Sequence, residues 1–485
     1  MRPMVRFLSD DLIRKILDEA REILGALGVE VQNPEAFRLL ARHGARGDAA
    51  SRVFFPPDLI DRALKTGPSG FALHDAAGRK THEFGGHRTY FTPGSAALNI
   101  LDYPSGSIRR PSTADYIRYV RLVERLPHLA AQSTAFIPAD VPDGISDSWR
   151  LYLSLLHGTK PVVTGAFTVE AFEVMRDLQV IVRGNGRALE EMPLTIFSCC
   201  PTSPLKWSRV TSQNVMDCAR AGIPVEFIAM PMSGFVAPAT LVGTLVQHTA
   251  ETLSGIVLHQ CARPGAPFLY GGSPAAFDVR YETTPMGAVE TMMIDAAYNE
   301  IGKSLGFPTQ AYTALSDAKA LDAQAGLETA LGAVLAVLSG VDSVSGPGML
   351  DFESCQSLEK LVLDNEICGL CLRMAQGIEP REDFPSLPRF RELLKEEHLL
   401  ISPHTRKYLR QEHYFPGPVI DRANLSRWRE EGSRGLWERA HAEVERHASL
   451  PVPSPLGPDT IRALKERMEA EARRHGADRL PDHTG

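Results

Sequence analysis

Leu194-Thr195-Ile196-Phe197-Ser198-Cys199 is followed by Cys200-Pro201-Thr202-Ser203-Pro204 and then by Trp207–Ala221. A β-branched and aromatic run, a turn cluster and a stretch with 3.6-residue apolar spacing make one strand-loop-helix unit. The same phrase recurs in both directions along the chain. The other strand-like runs are Thr89–Gly94, Leu129–Pro138, Pro161–Phe167, Pro224–Ala229, Pro267–Gly271, Pro308–Tyr312 and Val341–Ser345. Eight units are what an α/β (β/α)8 TIM barrel needs to close, and in that fold chemistry sits on the loops after the strands. A doubly wound open sheet is built from the same alternation, and periodicity alone does not separate the two.

The intervening helical stretches include Ala114–Arg125, Val169–Arg183, Leu241–Cys261, Gly287–Leu305 and Ala325–Leu338, with the pattern weakest over Ser146–His157. Residues 1–85 read as a helical cap on the barrel floor or an edge. There Ser9-Asp10-Asp11 starts a helix through Leu24, and a second follows Asn33-Pro34. Residues 86–355 are assigned to the barrel and 356–485 to a helical extension packed on it. The extension opens with a helix over Ser357–Gln376, passes a Pro-rich link and ends in 35 residues rich in Glu and Arg that read as solvated.

Apolar content of 44% and charged content of 23% over 485 residues supply a large core. A net charge of −7 and a pI near 6.1 give no electrostatic reason to expect nucleic acid. No uncharged apolar run reaches membrane-spanning length, and the N-terminus turns acidic at Asp10-Asp11 before a signal-peptide core forms, so the cytoplasm is the expected location. Seven scattered cysteines argue against a disulfide framework. Cys368 and Cys371 have zinc-like spacing but fall within a helix with no second pair, which reads as burial, and no bound metal is expected.

Several stretches, in order, resemble the trimethylamine methyltransferase family of corrinoid-dependent enzymes. They are Arg109–Arg118, Gly234–Val257, Pro264–Gly272, Ser316–Glu328, Ser357–Ile367 and His404–Arg410 with Trp428 beyond. The resemblance covers nearly the whole chain. It implies a (β/α)8 barrel that moves a methyl group from an amine to the Co(I) of cobalamin carried by a separate corrinoid protein. The family's founding members contain pyrrolysine, whereas every residue here is standard. That departure points away from trimethylamine and toward quaternary amines such as glycine betaine, a one-carbon chemistry akin to that feeding methanogenesis. A quaternary nitrogen leaves as a neutral amine, so no general acid is required.

A permanent cation without N–H groups is held by aromatic faces and nearby carboxylates. At the strand ends this selects Tyr270 and Tyr312 first, then Phe136, Phe167 and Phe227, although aromatics in parallel strands usually pack as wall. Asp317 is the expected anionic partner, with Asp278, Gln324 and Glu328 nearby, and Lys319 is a candidate for a substrate carboxylate. Asp322 reads equally as a helix cap. His248 and Glu251 share a helix face and read as structural. Two alternatives stand beside this reading: a zinc-assisted corrinoid methyltransferase using Cys199, Cys200 or His248, and a catalytically silent barrel that binds methylated amines. A homo-oligomer is compatible with the sequence.

Overall fold

The computed structural model describes residues 2–103, 105–477 and 479–483. Eight short strands carry the architecture: β1 (Tyr90–Thr92), β2 (Gln132–Ser133), β3 (Val162–Thr164), β4 (Thr195–Cys199), β5 (Val225–Phe227), β6 (Phe268–Leu269), β7 (Gln310–Tyr312) and β8 (Ser343–Ser345). Parallel ladders join β2 through β6 in order, and β7 to β8 to β1. Parallel bridges Tyr270–Thr309 and Phe91–Leu129 supply the two remaining seams. The ring is closed, which excludes the open sheet.

Each strand is followed by a helix: α1 (Thr113–Glu124), α2 (Ser146–His157), α3 (Val169–Arg183), α4 (Arg209–Ala221), α5 (Leu241–Ala262), α6 (Val289–Ser304), α7 (Ala323–Ser339) and α8 (Leu358–Ala375). Even α2, where the apolar period is weakest, spans the expected residues. Six of them start on a side chain that accepts a first-turn N–H: Ser112, Thr168, Ser208, Thr240, Asp322 and Ser357. Asp322 is therefore a cap. Its carboxylate accepts from the N–H groups of Gln324 and Ala325.

The N-terminal segment is more mixed than a purely helical cap. Its helix Asp10–Ala26, capped by Ser9, buries Ile13, Ile16, Ala20 and Leu24, and it packs with Pro34–Arg42 and Pro57–Thr66 on α5. This second layer explains why α5 is buried on nearly every face. The strand Val29–Val31 pairs with Lys206–Trp207 in the loop after β4. A hairpin of Phe71–His74 and Lys80–Phe84, not a helix, plugs the barrel floor. Its Leu73 and Phe84 join Val163, Ile196 and Leu269 of the ring in one buried cluster.

The last 35 residues are less solvated than expected, and the helix that precedes them is also packed. Helix Leu436–Ala448 packs on α1 and α8, and Pro458–Arg474 packs on α2 and α3 with Leu464, Met468 and Ala472 buried. Among the described residues no helix is long and apolar enough to cross a membrane.

Because Phe84 closes the floor beneath the ring, Phe84→Ala should lower the urea midpoint, corresponding to a loss of about 3–5 kcal/mol. An unchanged midpoint would mean that the hairpin contributes no packing to the barrel.

Candidate active site

Side chains along a strand alternate between the barrel interior and the helix layer. On β4, Ile196 faces the floor cluster and Ser198 faces a cavity above it, whereas Phe197 meets Phe172 of α3 in the outer layer. The cavity encloses about 440 Å³ at the C-terminal strand ends. All eight units line it: Ser95, Thr134, Phe167, Cys200, Met230, Ser273, Tyr312 and Glu353 come from successive loops or strand ends. The same convergence defines the catalytic end of such barrels.

The chemistry of this cavity is set by carboxylates the chain does not neutralise. Glu226 of β5 is fully buried beneath it. Ser198 Oγ donates to Glu226 Oε1 at 2.7 Å, while Oε2 has no protein partner. Burial pushes its pKa up to about 7. Glu353 lines the cavity with Oε1 unpartnered; burial, reinforced by the charge of Asp317, pushes its pKa to about 8.

Glu353 reaches this place through an unusual backbone. Asp351, Phe352 and Glu353 have φ of 49°, 54° and 66°, three successive non-glycine residues in the left-handed region. Each such residue costs about 1–3 kcal/mol, so the turn persists only where its surroundings over-determine it. They do. Asp351 N donates to Ala318 O at 3.0 Å, and Ser354 Oγ donates to Asp351 Oδ2 at 2.6 Å. Lys319 Nζ donates to Asp317 O at 2.7 Å, pairs with Asp351 Oδ1 at 3.5 Å and sits 3.8 Å from the Phe352 ring centroid.

The rest of the lining is positioned as tightly. Tyr312 Oη and Ser95 Oγ are 3.2 Å apart. Arg150 on α2 is buried, with Nη2 donating to Asp147 Oδ1 at 2.7 Å and Nη1 to Thr134 O at 3.0 Å. Asp147 Oδ2 accepts from Phe167 N at 2.6 Å, and the Arg150 guanidinium lies 5.2 Å from the Phe167 ring centroid. This pair fixes both the backbone and the ring of Phe167, which remains 56% exposed at the opening.

Of the residues expected from sequence, Tyr312 and Phe167 line the cavity. Three aromatics do not. Tyr270 faces the helix layer, where its hydroxyl donates to Thr249 Oγ1 at 3.3 Å. Phe227 packs against Trp207 and Phe268, and Phe136 against Tyr116 and Tyr119. For Tyr270 and Phe227 the inward positions on their strands are taken by their neighbours, Leu269 and Glu226.

The expected polar residues mostly build the walls. Asp317 bridges two loops, accepting from Met286 N at 3.0 Å and Gly287 N at 2.8 Å, and its pKa rises to about 6 through burial. Glu328 accepts from Ser316 Oγ at 2.6 Å and Asp317 N at 2.8 Å, and Gln324 donates to Glu328 from the exposed side. Lys319 is the clamp just described. Asp278 pairs with Arg280 on an exposed turn, which holds its pKa down near 2.

His248 and Glu251 are structural. His248 Nε2 lies 3.1 Å from Gly271 O, and Glu251 accepts from Ser203 Oγ at 2.7 Å and Leu205 N at 3.0 Å. Cys199 is in the outer core, Cys200 lines the cavity and His248 lies behind the wall, so these three do not converge. Among the described residues no three His, Cys, Asp or Glu side chains are grouped to hold a metal ion.

With the geometry in place, comparison with known proteins is decisive at the level of family. The family model for trimethylamine methyltransferase matches residues 1–476. The chain belongs to that family. It is 30% identical over 460 residues to a glycine betaine methyltransferase of Desulfitobacterium hafniense, covering 94% of this chain and 95% of that protein. It is 30% identical over 468 residues to a trimethylamine methyltransferase of Methanosarcina barkeri, covering 95% and 93%. The monomethylamine methyltransferase structure from Methanosarcina barkeri shares the fold, with a TM-score of 0.54 at 11% identity over 93% of this chain and 90% of that one.

Within this family member, Glu353 is held charged only against a desolvation cost. A folded-state pKa raised above the unfolded value contributes stability at low pH that is lost as pH climbs toward 8. Glu353→Gln should therefore melt at or above the wild-type temperature at pH 9, with the difference shrinking by pH 6. A variant less stable than wild type at pH 9 would show that the carboxylate has a stabilising partner.

Proposed function

We propose that the protein transfers a methyl group from a quaternary amine of the betaine type to the Co(I) of a cognate corrinoid protein. The observation that carries this reading is Glu353, unneutralised in the cavity lining beside the aromatic rings of Tyr312 and Phe167, with a second unneutralised carboxylate, Glu226, beneath it behind Ser198. A cation that cannot donate a hydrogen bond gains from such a lining, because its charge meets carboxylates and ring faces in a site of low dielectric. Arg150 gives the same cavity a positive group that suits a substrate carboxylate. No general acid is needed for a quaternary leaving group, and the thiol of Cys200, its pKa pushed up to about 12 by burial, is held neutral.

Support for a corrinoid partner comes from the opening. Leu98, Phe167, Met230 and Phe235 expose large apolar surface on loops after β1, β3 and β5, and Phe235 stacks on Phe277 at 4.7 Å. An apolar rim around a polar cavity fits a broad macrocycle brought by another protein. When presented there, reduced cobalt supplies the nucleophile for the methyl carbon. The chain's own residues hold the ammonium, aim a methyl group outward and keep water from it.

The test is methyl-cobalt formation from a panel of betaines with reduced corrinoid protein, followed by cobalt absorbance. Transfer from at least one quaternary amine and none from its dimethyl analogue is expected. Failure across the panel would refute the reading. As an inhibitor, tert-butylacetate, the uncharged-carbon isostere of glycine betaine, should bind at least ~10-fold more weakly, about 1.4 kcal/mol.

A further inference from the structure

Between α8 and the helix at Leu436 the chain forms an arm whose packing is inverted. Helix Leu387–Glu396 buries none of its residues, and neither does Pro403–Glu412. Leu387, Phe390 and Leu394 lie on one face by their spacing and are 60%, 58% and 81% exposed, whereas Arg389, Glu392 and Leu393 of the same helix are half-buried. Phe384, Leu400 and Ile401 extend the apolar surface at 76%, 75% and 71% exposure. Helices of ten residues are marginal in water without tertiary packing, so an apolar stripe turned outward calls for a partner.

The place of the arm says which partner. Strands run from floor to mouth, and α8 returns toward the floor. In its last turn Arg373 Nε donates to Glu412 O at 3.1 Å, and Tyr414 Oη lies 2.9 Å from Nε2 of His128, in the turn that enters β2. The arm thus leaves the floor end, opposite the mouth that a corrinoid protein has to reach. Many of the charges in residues 379–412 pair within the arm, Arg381 with Glu412, Arg389 with Glu392 and Lys407 with Asp383, so charge matching to another copy rests on the exposed groups that remain. Glu396 and Glu397 close the first helix, and Arg406 and Arg410 of the second are exposed. A two-fold contact sets the acids of one copy against the bases of the other and buries both apolar stripes. We infer that this arm is the contact surface for a second copy of the same chain.

The experiment is light scattering and sedimentation of the full chain at micromolar concentration. Wild type should run as a multiple of 53.2 kDa, and the triple variant Leu387→Asp, Phe390→Asp, Leu394→Asp as a single chain with unchanged circular dichroism. Should that variant misfold, charge reversal decides the matter: Arg406→Glu with Arg410→Glu should weaken association at least ~10-fold. Mixing that protein with Glu396→Arg, Glu397→Arg should restore it. A monomeric wild type, variants that keep the wild-type mass, or loss of corrinoid-protein binding with the mass unchanged would each overturn the inference.

Discussion

A buried carboxylate without a cation of its own is the constraint from which the active-site end of this barrel follows. Glu353 is half-buried in the cavity wall, and its Oε1 is shut off from water yet meets no donor. Placing it there requires a backbone turn that ordinary residues avoid, and the clamp of Lys319, Asp351 and Ser354 is what holds that turn. The same arrangement explains the fate of Asp317 and Glu328. They tie neighbouring loops through backbone N–H groups and add negative potential without entering the cavity.

The barrel beneath makes such a charge affordable only because other terms are large. The floor hairpin closes the lower end with apolar side chains, and the N-terminal helices bury the outer face of α5. The interior therefore has a dry lower layer and a polar upper one, with Glu226 and Ser198 at the boundary. A site of this kind is unsatisfied when free and is completed by a ligand of opposite charge. Burial that raises the carboxylate pKa is also what strengthens its attraction for a permanent cation.

The sequence displayed the barrel plainly, since each of the eight runs ends in turn residues and leads into a helix, six of them capped by a side chain. It also pointed to Tyr312 and Phe167. It misdirected at Tyr270 and Phe227, because a strand end can be located from sequence more easily than the phase of its alternation. Glu226 left a signal, an acid inside the run Val225-Glu226-Phe227, where parallel strands are otherwise apolar. Glu353 left none, because nothing in Asp351-Phe352-Glu353 announces a left-handed turn. The hairpin at 71–84 was hidden within a segment whose stronger signals are helical.

The most direct test of the central claim is the proton balance of binding. A cation seated against Glu226 and Glu353 favours their ionised forms, so it lowers their pKa values from about 7 and about 8 and expels protons. Calorimetric titration with glycine betaine near pH 7, in two buffers of different ionisation enthalpy, should show net proton release, sharply reduced in Glu353→Gln. Measurable binding whose heat is the same in both buffers would contradict it.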